Sequence, residues 1–233
     1  MMEREILSLS GASNLTSSKN TGWFVAVVGP SGAGKDTIIN AVRKIVKDQP
    51  DFLFIRRTIT RKAGISGEAL QAGTKINIGN EDNIAVSEDE FLKLSKNHAF
   101  SMEWFAHGIH YGLPKNIADN IKRGKIVIAN ISREYLEAAK QMFGRIFVVE
   151  VNADISILRK RLIMRNREQA EDIKERLGRA NVAIHLPVGA GYCYIDNSDN
   201  LQHAVEKLLS VLEILAAGKI PDISDKAWLS KNR

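Results

Sequence analysis

A glycine-rich turn that follows an apolar segment constrains the fold of this chain most strongly. Residues 29–37 read GPSGAGKDT and directly follow the apolar residues 23–28. They fit the strand–loop–helix pattern G-x-x-x-x-G-K-[ST], in which backbone N–H groups and the start of a helix surround phosphate oxygens. Lys35 is expected to reach the transferable phosphate. The residues predicted to bind the phosphates of a nucleotide are Gly29, Pro30, Ser31, Gly32, Ala33, Gly34, Lys35, Asp36 and Thr37.

The residue after the lysine departs from this pattern, because Asp36 stands where the motif has serine or threonine. In the usual loop that hydroxyl ligates Mg²⁺. A carboxylate is also a hard oxygen donor, so Asp36 could bind Mg²⁺ directly or through a water molecule. Alternatively, Asp36 only stabilises the helix N-terminus, where a negative side chain is favourable. The sequence leaves both interpretations open.

The composition indicates one α/β domain with a basic charge. The chain has 233 residues, a formal net charge of +6 and 44% hydrophobic residues. Its arginines form short clusters instead of one long run, which favours a small phosphorylated substrate over nucleic acid. Cys193 is the only cysteine, which excludes an internal disulfide and fits a reducing compartment. No segment approaches the roughly 18 apolar residues of a membrane span, so we expect a cytoplasmic protein with no membrane partner.

Alternating strand-like and helix-like segments predict a doubly wound parallel sheet flanked by helices. We expect a flexible N-terminal tail at 1–20, one domain at 21–216 and a C-terminal tail at 217–233. Residues 62–83, which include four glycines, predict a long loop that interrupts the alternation. The predicted strands are 23–28, 52–57, 125–130, 145–151 and 192–195, and the predicted helices are 34–47, 87–96, 115–123, 132–142, 154–165, 169–184 and 199–216.

Three further segments suit phosphate chemistry. Residues 56–62, RRTITRK, follow the second predicted strand, and open α/β sheets bind their ligands at the carboxyl ends of strands. Residues 107–114, HGIHYGLP, offer Tyr111 as a hydroxyl donor, whereas their two histidines lack a third ligand for a metal. Residues 159–179 place several arginines on two helices, as a closing lid needs. Solvated turns and ion-paired helix faces are the alternative explanation for these charges.

Taken in order, these segments resemble the guanylate kinase-like branch of the P-loop kinases over about residues 22–215. The matching motifs are the 29–35 loop, Thr60-Arg61, the segments 86–91 and 111–114, and the arginine-containing segments 161–165 and 173–177. Within that branch the chain is most similar to the ribose 1,5-bisphosphate phosphokinases, on the segments 35–37, 56–61, 104–114 and 130–133. Guanylate kinases have Tyr-Gly-Thr where this chain has Tyr111-Gly112-Leu113. They also have an acidic residue followed by Gln-Gly after the third strand, where this chain has Asn130-Ile131-Ser132-Arg133. The loss of these base-reading groups argues against guanine as the ligand.

The resemblance implies a P-loop kinase fold with a small substrate-binding subdomain at about 58–112 and a helical lid at about 161–180. It implies that ATP, with Mg²⁺, phosphorylates ribose 1,5-bisphosphate to 5-phosphoribosyl 1-diphosphate in phosphonate catabolism. It assigns catalysis to Lys35, Arg165 and Arg176. It assigns substrate binding to Arg57, Thr60, Arg61, Glu81, Asp82, Tyr111, Asn130, Ser132 and Arg133, with Glu81 and Asp82 preferred to Glu68 as the acidic segment of the family.

Two other functions remain open on the sequence. One is a kinase of GMP or another nucleoside monophosphate, and the other is a non-catalytic guanylate kinase-like binding module. Retention of Lys35 and of the arginines in the lid segment argues against the binding module. A phosphate acceptor is already anionic, so the predicted mechanism relies on positioning and charge neutralisation instead of a general base. A homodimer is compatible with the resemblance.

Overall fold

The apolar segment before the glycine-rich turn forms a strand that is buried along its whole length. A computed structural model describes residues 21–60, 75–78, 81–106, 108–164, 170–178, 180 and 182–221. In it this first strand, β1, spans Trp23–Val28, and all six of its side chains are buried. A continuous apolar strand of this kind is typical of a parallel sheet with both faces covered.

The described chain contains strands and helices in alternation. The strands are β1, β2 (Phe52–Phe54), β3 (Thr58–Thr60), β4 (Lys75–Ile78), β5 (Glu81–Val86), β6 (Phe100–Ala106), β7 (Ile109–Pro114), β8 (Ile126–Asn130), β9 (Ile146–Asn152) and β10 (Gly191–Asp196). The helices are α1 (Lys35–Ile45), α2 (Glu88–Lys96), α3 (Ile117–Lys122), α4 (Leu136–Phe143), α5 (Ile155–Met164), α6 (Ala170–Gly178) and α7 (Leu201–Ala216), with a short 3₁₀ helix at Arg133–Tyr135 before α4.

The core sheet has the strand order β10-β9-β1-β8-β2, and all its neighbouring strands pair in parallel. This confirms the predicted parallel sheet flanked by helices. Alternate side chains of β1 face opposite layers. Trp23, Val25 and Val27 belong to a buried cluster with residues of α1 and α7. Phe24 belongs to a second cluster, which contains residues of α3 and α4.

A second sheet, with the order β4-β5-β3-β7-β6, was not predicted from the sequence. It is mixed: β3 pairs with β5 in parallel, whereas β4 with β5, β3 with β7, and β6 with β7 pair antiparallel. The prediction of one continuous loop at 62–83 is therefore wrong for residues 75–78 and 81–83, which form strands. The predicted strand at 52–57 is too long, because the chain leaves the core sheet after Phe54 and enters the second sheet at Thr58.

The helices follow the predictions more closely than the second sheet does. Ser87 caps α2 as its sequence pattern indicates, since its hydroxyl accepts a hydrogen bond from the backbone N–H of Glu90 at 3.2 Å. The predicted helix at 169–184 is wrong at its end, because α6 ends at Gly178 and residues 182–184 are not helical. The sequence predicts a core-facing stripe in α7. Val205, Leu208 and Leu212 of this stripe are buried and Leu209 is partly buried, but the prediction is wrong for Leu201, which is 42% exposed.

The single cysteine lies inside the core. Cys193 of β10 has no solvent-exposed surface, and burial raises the pKa of its thiol to about 12. The thiol is therefore protonated at neutral pH, and its surroundings are those of a packing residue.

The predicted tail at 1–20 lies outside the described residues, as do residues 222–233 of the second tail. Within the part of the chain that the structure covers, no helix has the length and apolar character needed to cross a membrane.

Replacing Leu208 with alanine is expected to lower the free energy of unfolding by about 2–5 kcal/mol, because its fully buried side chain leaves a cavity. Leu92 is the matched control, since α2 leaves that leucine 51% exposed and its truncation should cost about 1 kcal/mol or less. Urea denaturation followed by circular dichroism measures both values. Equal losses in the two variants would contradict the position of α7 in the core.

Candidate active site

The glycine-rich loop lies at the carboxyl end of β1, between the ends of β8 and β9. Two of its glycines are required by geometry. Gly29 has φ 139°, and a Cβ atom there would lie 1.9 Å from the carbonyl oxygen of Val151. Gly34 has φ 92°, and a Cβ atom there would lie 2.4 Å from the amide nitrogen of Asn197. A side chain at position 29 would force the loop away from β9, and one at position 34 would be strained by the positive φ and would displace the Asn197 amide.

Helix α1 begins at Lys35, so its unpaired N–H groups and positive dipole end face the loop. The Lys35 ammonium group lies against the loop itself, donating hydrogen bonds to the carbonyl oxygens of Gly29 at 2.8 Å and Pro30 at 2.9 Å. A positive helix end and a lysine next to turned backbone N–H groups form a site for phosphate oxygens.

The Asp36 carboxylate contacts two residues that the sequence analysis assigns to the substrate. Its Oδ1 accepts a hydrogen bond from the Asn130 side-chain amide at 2.9 Å. The same oxygen lies 3.8 Å from Nη2 of Arg57. Asn130 ends β8 and stands beside Val27 of β1 in the sheet register. The first turn of α1 is therefore in contact with the predicted acceptor residues.

Arg57 lies between the two sheets and has partners on several sides. Its Nε donates a hydrogen bond to the side-chain carbonyl of Asn83 at 3.2 Å. Its guanidinium carbon lies 5.5 Å from the centre of the Tyr111 ring, within cation–π range. The Tyr111 ring in turn stacks on Trp104, with 5.1 Å between ring centres and 6° between ring planes. An aromatic platform therefore supports the arginine from the second sheet.

Two arginines of the predicted lid reach the loop. Arg161 of α5 donates to the carbonyl oxygen of Asn197 at 2.9 Å, and more weakly to that of Gly32 at 3.4 Å. Arg176 of α6 lies 3.4 Å from the Ser31 hydroxyl, also a long contact. Both helices thus place a guanidinium group next to the loop.

Asn197 is a part of the site that the sequence analysis missed. It is 3% exposed, and its amide nitrogen donates a hydrogen bond to the carbonyl oxygen of Ala33 at 2.8 Å. Its Oδ1 is buried and has no hydrogen-bond partner within the described structure. The signal in the sequence is weak, since a lone asparagine after a strand is common.

The other predicted substrate residues differ in their surroundings. Thr60 is buried, and its hydroxyl accepts from the backbone N–H of His110 at 2.8 Å, which favours a role in joining β3 to β7. Ser132 is partly exposed at the start of the 3₁₀ helix. Arg133 donates to the carbonyl oxygen of Val182 at 2.6 Å. The predicted residues that lie outside the described part of the structure are Arg61, Arg165 and the side chains of Glu81 and Asp82.

Two tyrosines of β10 are unsuited to proton transfer at neutral pH. Burial and a hydrogen bond donated to Glu150 at 2.6 Å raise the pKa of Tyr192 well above its ordinary value. Burial and the nearby Asp196 also raise the pKa of Tyr194. Both phenols therefore stay protonated.

No group of three or more histidine, cysteine, aspartate or glutamate side chains able to hold a metal occurs in the described structure. Asp36 is the carboxylate of the loop, and its Oδ1 already contacts Asn130 and Arg57. Mg²⁺ in phosphoryl-transfer sites is held by one or two carboxylates, water and substrate phosphates. The residues present do not form a preassembled Mg²⁺ site.

Comparison with known sequences gives consistent matches over most of the chain. The family model for guanylate kinase matches residues 23–215. The ribose 1,5-bisphosphate phosphokinase PhnN of Rhodopseudomonas palustris is 37% identical over 199 residues, which are 85% of this chain and 90% of that protein. The protein of the same name from Brucella melitensis is 38% identical over 200 residues, covering 85% of this chain and 96% of that protein.

Among solved structures, the guanylate kinase of Anaplasma phagocytophilum superposes with a TM-score of 0.54 at 20% identity, covering 87% of this chain and 89% of that one. This likeness supports the fold, a parallel sheet flanked by helices. The family model and the relatives together show that the chain belongs to the guanylate kinase family of P-loop kinases and, within it, to the ribose 1,5-bisphosphate phosphokinase branch.

Proposed function

We propose that this protein is a kinase that transfers the γ-phosphoryl group of ATP to the 1-phosphate of ribose 1,5-bisphosphate, forming 5-phosphoribosyl 1-diphosphate and ADP. The observation that carries the proposal is the contact between the phosphate-binding loop and the predicted acceptor residue Arg57. Asp36, next to the phosphate-binding lysine, lies 3.8 Å from Arg57, which is supported by the second sheet. A donor loop and a cationic acceptor site are thus neighbours, as phosphoryl transfer between two phosphates requires.

On the donor side, the backbone N–H groups of residues 29–34 surround the β-phosphate, and Lys35 bridges the β- and γ-phosphates. In the structure Lys35 donates to the carbonyl oxygens of Gly29 and Pro30. Phosphate oxygens replace these carbonyls when ATP binds, so the ammonium group always keeps hydrogen-bond acceptors. This exchange lowers the cost of holding a partly buried cation.

On the acceptor side, Arg57, Tyr111 and Arg133 supply the groups that hold the sugar phosphates. Arginine suits this task because its planar guanidinium matches two phosphate oxygens at once. Where guanylate kinases have the threonine of Tyr-Gly-Thr, this chain has Leu113, which has no exposed surface, and the segment that replaces their acidic residue and Gln-Gly ends in Arg133. A buried leucine cannot hydrogen-bond a guanine, which favours a sugar phosphate over GMP.

The chemical step needs no base. An oxygen of the acceptor 1-phosphate attacks the γ-phosphorus as the bond to the β–γ bridging oxygen breaks, and ADP leaves with that electron pair. The negative charge on the transferring oxygens is balanced by Lys35 and by the lid arginines Arg165 and Arg176. Arg176 already lies 3.4 Å from Ser31 of the loop, which supports its assignment.

Kinases of this type typically use Mg²⁺ together with ATP, and the metal is expected to arrive with the nucleotide.

The alternatives to the proposed function are phosphorylation of GMP and a binding module without activity. Their test is ATP turnover by the purified protein with ribose 1,5-bisphosphate, GMP and other monophosphates in parallel. A preference for GMP would refute the proposed acceptor, and turnover with none of them would favour the binding module.

Lys35→Ala is expected to lower kcat by at least about 10²-fold, because Lys35 is the one cationic side chain in residues 29–37 and is proposed to bridge the β- and γ-phosphates. The fold of the Lys35→Ala variant should be unchanged, because the Lys35 ammonium group contacts loop carbonyls and not the hydrophobic core. Steady-state kinetics and thermal unfolding measure the two effects. Lys44→Ala, which also replaces a lysine of α1 but far from the loop, is the control and should keep parental kinetics.

Arg176→Ala is expected to lower kcat by about 10²–10³-fold at saturating substrates, because it removes a cation aimed at the transferring group. The matched control is Lys174→Ala, since Lys174 is exposed on the same helix, α6. Initial rates at several concentrations of both substrates separate kcat from KM. If the two variants behave alike, Arg176 has no part in the transfer.

A further inference from the structure

Asp36 replaces the usual serine or threonine of the loop, and its contacts indicate what the replacement does. Its Oδ1 lies between two donors, the Asn130 amide at 2.9 Å and Nη2 of Arg57 at 3.8 Å. The side chain of Asp36 is 24% exposed and that of Arg57 only 11% exposed. A largely buried guanidinium needs a nearby negative charge, because an uncompensated buried charge is strongly destabilising.

The remaining partners of Arg57 restrict its orientation. Asn83, which accepts from Nε at 3.2 Å, is itself only 4% exposed. The Tyr111 ring lies 5.5 Å from the guanidinium carbon. Asn83 belongs to β5 and Tyr111 to β7, so the second sheet holds one side of the arginine. Asp36, at the start of α1, holds the side that faces the loop.

A serine or threonine at position 36 could not perform this task. The hydroxyl of serine or threonine carries no charge. Its oxygen is bonded directly to Cβ, whereas the carboxylate oxygens of aspartate lie one carbon further from the backbone. Conversely, a carboxylate oxygen that faces a guanidinium and accepts an amide hydrogen bond has less free charge to offer a divalent cation. These contacts of Oδ1 argue against its use as a Mg²⁺ ligand.

We infer that Asp36 is a positioning residue for the acceptor site, which holds Arg57 and Asn130 in the orientation that receives the acceptor phosphate. The unusual residue of the loop thereby connects nucleotide binding to acceptor binding. The inference rests on the proposed function only in that the acceptor carries a phosphate group.

The deciding variant is Asp36→Ser, which restores the residue usual at this position. Loss of the Arg57 contact should raise the acceptor KM about tenfold, while the KM for ATP and the half-saturating Mg²⁺ concentration stay within about twofold. Asp36→Asn, which keeps the shape and loses the charge, should show the same split. A parental acceptor KM in Asp36→Ser overturns the inference. So does a tenfold rise in the half-saturating Mg²⁺ concentration of Asp36→Asn with an unchanged acceptor KM.

A double-mutant cycle tests the contact itself. The acceptor KM of Asp36→Asn combined with Arg57→Gln should match that of Arg57→Gln alone within about twofold, since each change removes the same pair. Urea unfolding of the four proteins gives a second readout that needs no substrate, and it should be non-additive as well. Asp89→Asn, at an exposed aspartate of α2, is the control and should combine additively with Arg57→Gln. Additive effects of Asp36→Asn and Arg57→Gln in both readouts overturn the inference.

Asn83→Ala removes the hydrogen bond on the opposite side of Arg57, and it tests the inference if the Asp36 variants do not fold. It should raise the acceptor KM and leave the Mg²⁺ dependence unchanged, and a parental acceptor KM would count against the inference.

Failure of the proposed function can be distinguished from failure of the inference on Asp36. If the parent phosphorylates only a nucleoside monophosphate, the ribose 1,5-bisphosphate proposal fails, and the KM split is then measured with that acceptor. If the parent uses ribose 1,5-bisphosphate and no split occurs, only the inference on Asp36 fails.

Discussion

The position of the turn after β1 is the constraint on which the site depends. Backbone N–H groups bind phosphate only if they point inward, and that requires both a fixed strand end and glycines free to adopt positive φ. Six buried side chains fix β1 between its neighbours, and Gly29 approaches the backbone of β9 so closely that no side chain fits. Close packing leaves such a turn few alternative arrangements. The loop is therefore a product of the whole core sheet.

The cations described around the loop share one arrangement. Lys35 contacts loop carbonyls, Arg57 faces Asp36 and Asn83, Arg161 contacts Asn197, and Arg176 lies near Ser31. Each positive group therefore has a protein acceptor before any ligand binds, which avoids uncompensated buried charge. A ligand's phosphate oxygens can take the place of the loop carbonyls at Lys35, whereas the contact with Asp36 is proposed to keep Arg57 oriented for the acceptor.

The sequence predicted the core sheet well because long apolar strands and periodic helices carry local signals. It missed the second sheet, since β3 has three residues, β4 has four and β5 begins with polar residues, so that their pairing depends on distant partners. The loop residues, Arg57, Tyr111 and Asn130 were predicted as site residues from motifs. Their contacts were not, because Asp36 and Asn130 are 94 residues apart and Arg57 and Asn83 are 26 apart. Motifs indicate which residues matter, whereas folding decides which of them touch.

The hydrogen bond from Asn197 to the carbonyl of Ala33 spans 164 residues of sequence. The phosphate-binding loop is thus synthesised well before Asn197, whose side chain supports the backbone of that loop. Asn197 follows β10, which among the described strands pairs with β9 alone. A nascent chain that contains the complete motif therefore still lacks a finished nucleotide site. The backbone of the phosphate-binding loop therefore gains this support only after Asn197 has been synthesised and β10 has paired with β9.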